Sequence, residues 1–198
     1  MIKLSYTFLT VLLINFGLTA QNFDIDLLKN INQDRNQNLD KPLQNISKSV
    51  YPLSVALPIS LLGIGLIKHD KALQRQGFAT FASLAVSMGT TYTLKKIINR
   101  DRPYIKYPSL IRPVYIEDDP AFPSGHTTAA FSTATSLSLV YKKWYVVVPA
   151  YVWAGAVAYS RLHLGVHYPS DVLAGTAIGA GSAWLSYRAN RWLQTRKK

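Results

Sequence analysis

Residues that could bind and process a phosphate group are spread from the middle to the end of the 198-residue chain. They include three cations, which pair well with phosphate oxygens, and two histidines, which exchange protons near neutral pH. In chain order the six residues are Lys95, Arg102, His126, Arg161, His167 and Asp171. Each lies near the end of an apolar stretch, so the arrangement of those stretches decides whether the side chains meet.

The stretch AFPSGHTTAA, residues 121–130, places one of these histidines at a predicted helix start. Pro123 suits the entry to a helix, and Gly125 allows the backbone to approach a ligand closely. The first N–H groups of a helix have no partner within it, and the helix dipole favours negative charge there. Ser124, Gly125 and His126 are therefore predicted to form a cradle for an anion.

Five apolar stretches without charged residues follow Lys48 and predict an all-α, polytopic membrane helix bundle. Each is about long enough to cross a hydrocarbon core of roughly 30 Å, although the last two are short and imply tilt or bilayer thinning. Small residues such as those of GTAIG, residues 175–179, favour close helix packing. The mean hydropathy of only +0.07 keeps a soluble helical bundle as the alternative. The stretches are residues 49–67, 76–94, 121–141, 144–160 and 172–187.

The rest of the chain is divided by composition into three segments. Residues 1–20 have the layout of a secretory signal peptide, and the alternative is a sixth, N-terminal membrane helix. Residues 21–48 are predicted to be a polar extracytoplasmic surface segment with at most one short helix. The helical domain covers residues 49–187, and residues 188–198 form a basic cytoplasmic tail.

The distribution of the net charge of +12 predicts the orientation of the helices. The basic residues are not concentrated in one segment of the sequence, which argues against a nucleic-acid partner. If the helices alternate, the first and third connections and the basic tail share one side, which the positive-inside rule assigns to the cytoplasm. Four helix ends then bring the three cations, two histidines and Asp171 to the outer face. Because the outward connection from residue 95 to 122 is also basic, an anionic substrate is expected there.

Three motifs in order resemble the signature of the type 2 phosphatidic acid phosphatase superfamily, which also contains bacterial acid phosphatases and vanadium haloperoxidases. The resemblance covers roughly residues 49–187 and involves no substitution at the key positions. The motifs are Lys95, six residues, Arg102 and Pro103; then PSGH at residues 123–126; then Ser160, Arg161, five residues, His167, three residues and Asp171. PSGH alone would be weak evidence, whereas the three together are highly specific.

The resemblance implies a role for each matching residue. His167 would attack phosphorus to give a phosphohistidine, Asp171 would orient the His167 ring, and His126 would protonate the leaving oxygen and then activate water. With three fixed cations, neither a metal nor another cofactor is expected. The phosphate-binding residues would be Lys95, Arg102, Ser124, Gly125 and Arg161.

Other polar residues near the motifs are given less specific expectations. Lys96 and Arg100 are predicted to be solvated or to face lipid, and His163 to be an interfacial polar residue. His163, His167 and Asp171 have a metal-like spacing of four, but Gly165 and Pro169 interrupt the helix that this would need. The acidic run at residues 117–119 is expected to order the connection or to disfavour some anionic headgroups.

The sequence thus predicts a membrane hydrolase that removes phosphate from a lipid phosphate or diphosphate. Phosphatidic acid, phosphatidylglycerol phosphate and polyprenyl diphosphate are the candidate substrates. The alternatives are a non-specific acid phosphatase of the same superfamily, a vanadate-dependent haloperoxidase and a non-catalytic binder of anionic lipid. The expected location is the bacterial inner membrane with the site facing the periplasm or outside, and oligomeric state is left open.

Overall fold

The computed structural model describes residues 23–196, and this part of the chain is helical without a β-strand. The predicted signal peptide or N-terminal membrane helix, residues 1–20, lies outside the described residues. The first helix, α1, is described over residues 23–32 and is followed by a 3-10 turn at Gln37–Leu39. The remaining helices are α2 Asp40–Lys48, α3 Val50–Ile67, α4 Lys71–Ile98, α5 Pro103–Lys106, α6 Gly125–Val140, α7 Trp144–His163 and α8 Pro169–Thr195.

The five predicted stretches correspond to α3, α4, α6, α7 and α8, with shifted ends. Helices α7 and α8 have 20 and 27 residues, so the expectation that both are short is wrong. The difference arises because the helices continue into polar residues at their ends, which an apolar count leaves out. At 1.5 Å per residue α8 is about 40 Å long, more than a bilayer core needs.

One helical stretch among the described residues meets both the length and the apolar composition expected of a membrane span. It is Gln37–Ile67, which joins α2 and α3 and reaches a mean hydropathy of 2.0. Helices α4, α7 and α8 are long enough but carry more polar residues, many of which form buried contacts between helices. The number of spans therefore stays a prediction.

Helix α6 is the centre of the bundle and contacts α3, α4, α7 and α8. Its buried face consists of small residues, including Ala129, Ala130 and Ala134. Small residues let neighbouring backbones approach closely. At Gly179 of α8, an added Cβ atom would lie only 2.3 Å from the carbonyl oxygen of Thr128. The glycines of GTAIG therefore lie directly against α6.

Hydroxyl groups connect α6 to its neighbours inside the bundle. Ser132 is hydrogen-bonded to Ser83 of α4 at 2.8 Å, and Thr133 donates to Ser54 of α3 at 2.7 Å. These contacts satisfy polar groups that would otherwise be costly away from water. They hold the three helices that carry one wall of the site described below.

The polar segment before α3 packs against the bundle and is not only a surface segment, which corrects the expectation for residues 21–48. Ile25 and Leu28 of α1 join a buried cluster with Leu164 and Tyr168. Asn32 donates to the carbonyl oxygen of His163 at 3.0 Å. Helix α1 therefore supports the connection between α7 and α8, which carries His167.

The outer faces of the long helices expose large apolar side chains. Ile59, Phe78, Val152 and Leu185 are examples from α3, α4, α7 and α8. Large exposed apolar surface is unfavourable in water and favours contact with lipid or another protein. The exposed face is therefore suited to a bilayer.

Candidate active site

The ends of three helices and two connections line a cavity of about 200 Å³ at one end of the bundle. Water occupies about 30 Å³ per molecule in the liquid, so the cavity has room for several waters or a small anion. The C-terminal end of α4, the connection 99–124 and the N-terminal end of α6 form most of its wall. The lining residues are Tyr51, Met88, Thr91, Tyr92, Lys95, Arg102, Glu117, Asp119, Gly125, His126 and His167.

His167 lies in the connection between α7 and α8 and is almost fully buried. Its Nε2 atom is 3.1 Å from Nη1 of Arg102. Because a guanidinium group can only donate hydrogen bonds, Nε2 must be the acceptor, and we assign the proton of the neutral ring to Nδ1. Nδ1 is 3.4 Å from Oδ2 of Asp171 but does not make a hydrogen bond to it. The unprotonated nitrogen of His167 is thus on the cavity side.

Asp171 occupies the first turn of α8 and its side chain is completely buried. Its Oδ2 accepts the N–H of Tyr168 at 2.8 Å, which is part of the N-terminal cap of α8. The other oxygen, Oδ1, accepts from Arg100 at 2.6 Å. These contacts fix the carboxylate beside Nδ1 of His167.

His126, the second residue of α6, lines the same cavity as His167 from the α6 side. Its ring packs on Tyr51 of α3 with 4.8 Å between the ring centroids. The cap of α6 is Ser124, whose hydroxyl accepts from the N–H and the hydroxyl of Thr127. The Ser124 side chain is therefore engaged within the helix start, and Gly125 and His126 are the residues of the predicted cradle that line the cavity.

The three predicted phosphate-binding cations differ in their access to the cavity. Lys95 and Arg102 line it directly, and Arg102 is anchored by hydrogen bonds to the carbonyl oxygens of Val166 at 2.8 Å and Asp119 at 2.9 Å. Arg161 is fully buried and bonds Ser47, Tyr115 and Glu117. It reaches the cavity through Glu117.

Two carboxylates of the connection 99–124 are paired with all three cations. Glu117 lies 2.5 Å from nitrogen atoms of both Arg102 and Arg161, and Asp119 lies 2.5 Å from Arg102 and 2.9 Å from Lys95. Oε2 of Glu117 is also 4.0 Å from Nε2 of His167. Two members of the acidic run therefore contribute to the site itself, whereas the sequence suggested that the run orders the connection or disfavours some anionic headgroups.

The charges at this site shift the pKa values of the groups in its connections. Burial would raise the pKa of Glu117, but the charges of Arg161 and Arg102 outweigh it and the net pKa is lowered. The pKa of Asp119 is likewise lowered, because the pairing with Lys95 outweighs burial. Burial and then the charge of Arg102 lower the pKa of His167 well below its ordinary value. At neutral pH both carboxylates are therefore ionised and His167 is neutral.

Two residues near the motifs are placed differently from the expectation. Arg100 is neither solvated nor lipid-facing, because it pairs with Asp171 and with Asp24 of α1. His163 is buried, and its Nε2 lies 2.8 Å from Asp40 of α2. His163 is thus directed away from Asp171, and within residues 23–196 no group of three or more potential ligands is arranged for a metal ion. Lys96 is exposed, as expected.

Comparison with known proteins assigns a family to this arrangement. The sequence profile of the PAP2 superfamily matches residues 76–195, which include every motif residue described above. The chain therefore belongs to the PAP2 superfamily. This finding confirms the family that the three motifs indicated.

Relatives and a solved structure agree with this assignment. The lipid A 4'-phosphatase of Bacteroides thetaiotaomicron is 39% identical over 33% of this chain. The matched region covers only 29% of the length of that relative. The undecaprenyl-diphosphatase of Sulfolobus acidocaldarius is 27% identical over 83% of the chain and 76% of its own length. A transmembrane PAP2-type phosphatidylglycerolphosphate phosphatase from Bacillus subtilis has a TM-score of 0.73 at 25% identity, covering 93% of this chain and 94% of that structure.

Proposed function

We propose that the chain is a membrane enzyme that hydrolyses a lipid phosphate or diphosphate through a phosphohistidine intermediate. The observation that carries the proposal is the neutral His167, with Nε2 directed at a cavity lined by Lys95, Arg102 and His126. Oδ2 of Asp171 lies 3.4 Å from the nitrogen on the opposite side of the ring, where it can orient the imidazole during the reaction. A nucleophile, a second proton-transfer group and cations at one cavity are the components of phosphoryl transfer.

The first step forms a bond from Nε2 of His167 to phosphorus and breaks the bond from phosphorus to the leaving oxygen, which is the lipid oxygen of a monophosphate or the bridging oxygen of a diphosphate. His126 donates a proton to that departing oxygen, and Asp171 stabilises the positive charge that develops on the His167 ring. In the second step water attacks phosphorus and gives a proton to His126. Breaking the P–N bond then releases phosphate and restores neutral His167.

The substrate phosphate would bind where the carboxylate of Glu117 lies now. Both groups are anions that accept charge-assisted hydrogen bonds from guanidinium groups, and Glu117 already bridges Arg102 and Arg161 beside His167. Displacement of Glu117 and Asp119 would leave Lys95, Arg102 and Arg161 to bind phosphate oxygens. The N–H of Gly125, with the helix start capped by Ser124, completes this site.

The substrate class follows from the membrane context and the relatives. The exposed apolar faces support a position of the cavity next to lipid, and the relatives carry names of lipid A, undecaprenyl and phosphatidylglycerolphosphate phosphatases. A lipid chain would lie along the apolar helix surfaces while its phosphate enters the cavity. Phosphatidic acid, phosphatidylglycerol phosphate and polyprenyl diphosphate remain the substrates to compare.

The proposed topology has five membrane helices, α3, α4, α6, α7 and α8, in a domain of residues 49–187. The site then faces the periplasm or outside, because the basic connections at Lys68 and Lys142 fall on the opposite side from the cavity. Residues 21–48 lie outside, and residues 188–198 form a cytoplasmic tail. The proposed location is the bacterial inner membrane, with a signal peptide or an additional helix at residues 1–20.

The test is phosphate release by detergent-purified protein from the three lipids and from a soluble aryl phosphate in EDTA. His167→Asn should abolish release, whereas His69→Asn should retain it, because His69 is an exposed histidine in the connection after α3. Acid quenching during turnover should trap acid-labile phosphate on the wild-type chain. Release that requires added metal, or persists in His167→Asn, would contradict the mechanism.

A further inference from the structure

The carboxylate of Asp171 is held by a guanidinium group that lies outside the described cavity. Arg100 donates from Nη1 to Asp171 at 2.6 Å and to the Ser170 hydroxyl at 2.7 Å. Its guanidinium carbon stacks 3.8 Å from the ring centroid of Tyr168. Arg100 therefore contacts three residues of the turn that follows His167.

Arg100 is held in turn by Asp24 of α1. Oδ2 of Asp24 accepts from Nη2 of Arg100 at 2.7 Å. The same side chain accepts the backbone N–H of Ser170 at 2.8 Å and the Ser170 hydroxyl at 2.5 Å. Asp24 thus binds both Arg100 and the first turn of α8, which contains Asp171. Only 5% of Asp24 is exposed, so these contacts are shielded from water.

Removal of either residue would change the surroundings of Asp171 in a definite way. Without Arg100, the buried carboxylate loses the one guanidinium group that pairs with it among the described residues and keeps the N–H of Tyr168. Buried charge is unfavourable without a hydrogen-bonded partner, so the carboxylate would turn or its helix turn would shift. Without the charge of Asp24, Arg100 would be free to turn away from Asp171.

We propose that Asp24 and Arg100 are positioning residues for the hydrolysis, acting through Asp171 to hold the ring of His167. The inference rests on the proposed function. Asp24 belongs to α1, outside the residues 76–195 that match the family profile. A part of this chain beyond the matched region thereby contributes to catalytic geometry, although neither residue touches the substrate.

Five variants separate positioning from general stability. Asp24→Asn removes the charge but keeps the shape, and Asp26→Asn is the matched control because Asp26 is exposed on the same helix. Arg100→Met removes the guanidinium, and Lys96→Met is its control because Lys96 is exposed. Arg100→Lys serves as a conservative rescue, since an ammonium group can still reach one carboxylate.

In Asp24→Asn and Arg100→Met, we expect kcat to fall while KM changes little. The affinity for tungstate, an oxyanion that mimics phosphate, should also change little. Supporting groups behind a reactive side chain typically contribute about 10- to 100-fold. We expect about a 100-fold loss for Arg100→Met, about 10-fold for Asp24→Asn, partial recovery in Arg100→Lys and less than about twofold change in the controls. The proposal would be overturned if Asp24→Asn and Arg100→Met had the same kcat as their control variants. It would also be overturned if the loss of activity were fully explained by a smaller fraction of folded protein, measured by thermal unfolding.

A second readout does not depend on turnover. The nitrogen chemical shifts of His167 report which ring nitrogen carries the proton, and the wild type should show Nδ1–H. Arg100→Met should change this tautomer or mix the two forms, whereas Lys96→Met should not. If no tested substrate is hydrolysed, the proposed function fails but this spectrum still tests the positioning. An unchanged tautomer in Arg100→Met would overturn it.

Discussion

At the scale of single residues, Glu117 controls the charge available to a substrate. Its carboxylate bridges Arg102 and Arg161 and lies 4.0 Å from Nε2 of His167. Under the proposed function, an incoming phosphate would therefore have to displace an anion that the chain itself supplies. If a ligand binds only when Glu117 has moved away from the two arginines, its apparent affinity is reduced in proportion to the population of that state. A lipid can offset this cost through chain contacts that a free phosphate lacks.

Substitution of Glu117 tests this competition. Glu117→Gln should tighten the binding of tungstate or inorganic phosphate by about tenfold, because a neutral amide competes less well for the guanidinium groups. Asp118→Asn is the matched control, since Asp118 is the exposed neighbour. Inhibition constants and direct calorimetry would measure the change. Weaker anion binding in Glu117→Gln would instead make the carboxylate a support for the cations.

The pKa of His167 predicts how stability depends on pH. The folded state keeps His167 neutral, whereas the unfolded chain takes up a proton near pH 6.5, so the unfolded state binds more protons below that pH. The contribution of neutral His167 to the free energy of unfolding is complete above about pH 6.5. Below that pH it is lost at up to about 1.4 kcal/mol per pH unit. His167→Asn should flatten the decline in thermal stability between about pH 6.5 and 5. If the thermal stability of the wild type and of His167→Asn fell equally between these pH values, this prediction would be contradicted.

At the scale of helices, the contact between α6 and α8 depends on glycine. A Cβ atom at Gly179 would lie 2.3 Å from the Thr128 carbonyl oxygen and 2.8 Å from the Ser132 nitrogen. Both are backbone atoms, so the helices would have to separate. Because His126 lies in the first turn of α6 and Asp171 in the first turn of α8, a separation of the two helices would also widen the site.

Alanine substitutions in α8 test this packing with an internal control. Gly179→Ala should destabilise the protein by about 1–3 kcal/mol through overpacking. Gly181→Ala has nothing within 4 Å of the new Cβ and should be neutral or slightly stabilising, because alanine favours helix. Thermal unfolding in detergent measures both. Equal melting temperatures would show that the two helices are less tightly packed than the structure has them.

At the scale of the whole molecule, the proposed topology puts opposite ends of the bundle on opposite sides of a membrane. The site lies at the end formed by the connection 99–124, and the basic connection at Lys142 and Lys143 lies between α6 and α7 at the other end. The positive-inside rule gives the second end to the cytoplasm. The exposed apolar faces lie between them.

The absence of cysteine from the sequence allows a direct test of this topology. Asp118→Cys should react with an impermeant maleimide added outside sealed spheroplasts, whereas Lys143→Cys should react only after permeabilisation. The unsubstituted chain is the blank. Reaction of both variants from outside would contradict the alternating helices, and the reverse pattern would place the site in the cytoplasm.

The family and most of the site could be predicted from the sequence because they depend on local spacing. The three motifs fix the residue types, and alternating helices place their ends at one face, which the structure reproduces for Lys95, Arg102, His126 and His167. The ends of α7 and α8 were harder to predict, because both helices continue into polar residues that lie outside the apolar stretches of the sequence. Roles of individual residues in catalysis remain predictions for the experiments above.

The helical class, the family and the set of residues that meet at one end of the bundle could therefore be predicted from the amino-acid sequence. Only the folded structure reveals that Glu117 and Asp119 pair with the predicted phosphate-binding cations, and that Asp24 binds Arg100 from 76 residues away. Local patterns specify periodicity and helix ends, whereas an ion pair between distant segments depends on how those segments pack. Chain spacing carries no direct information about that packing.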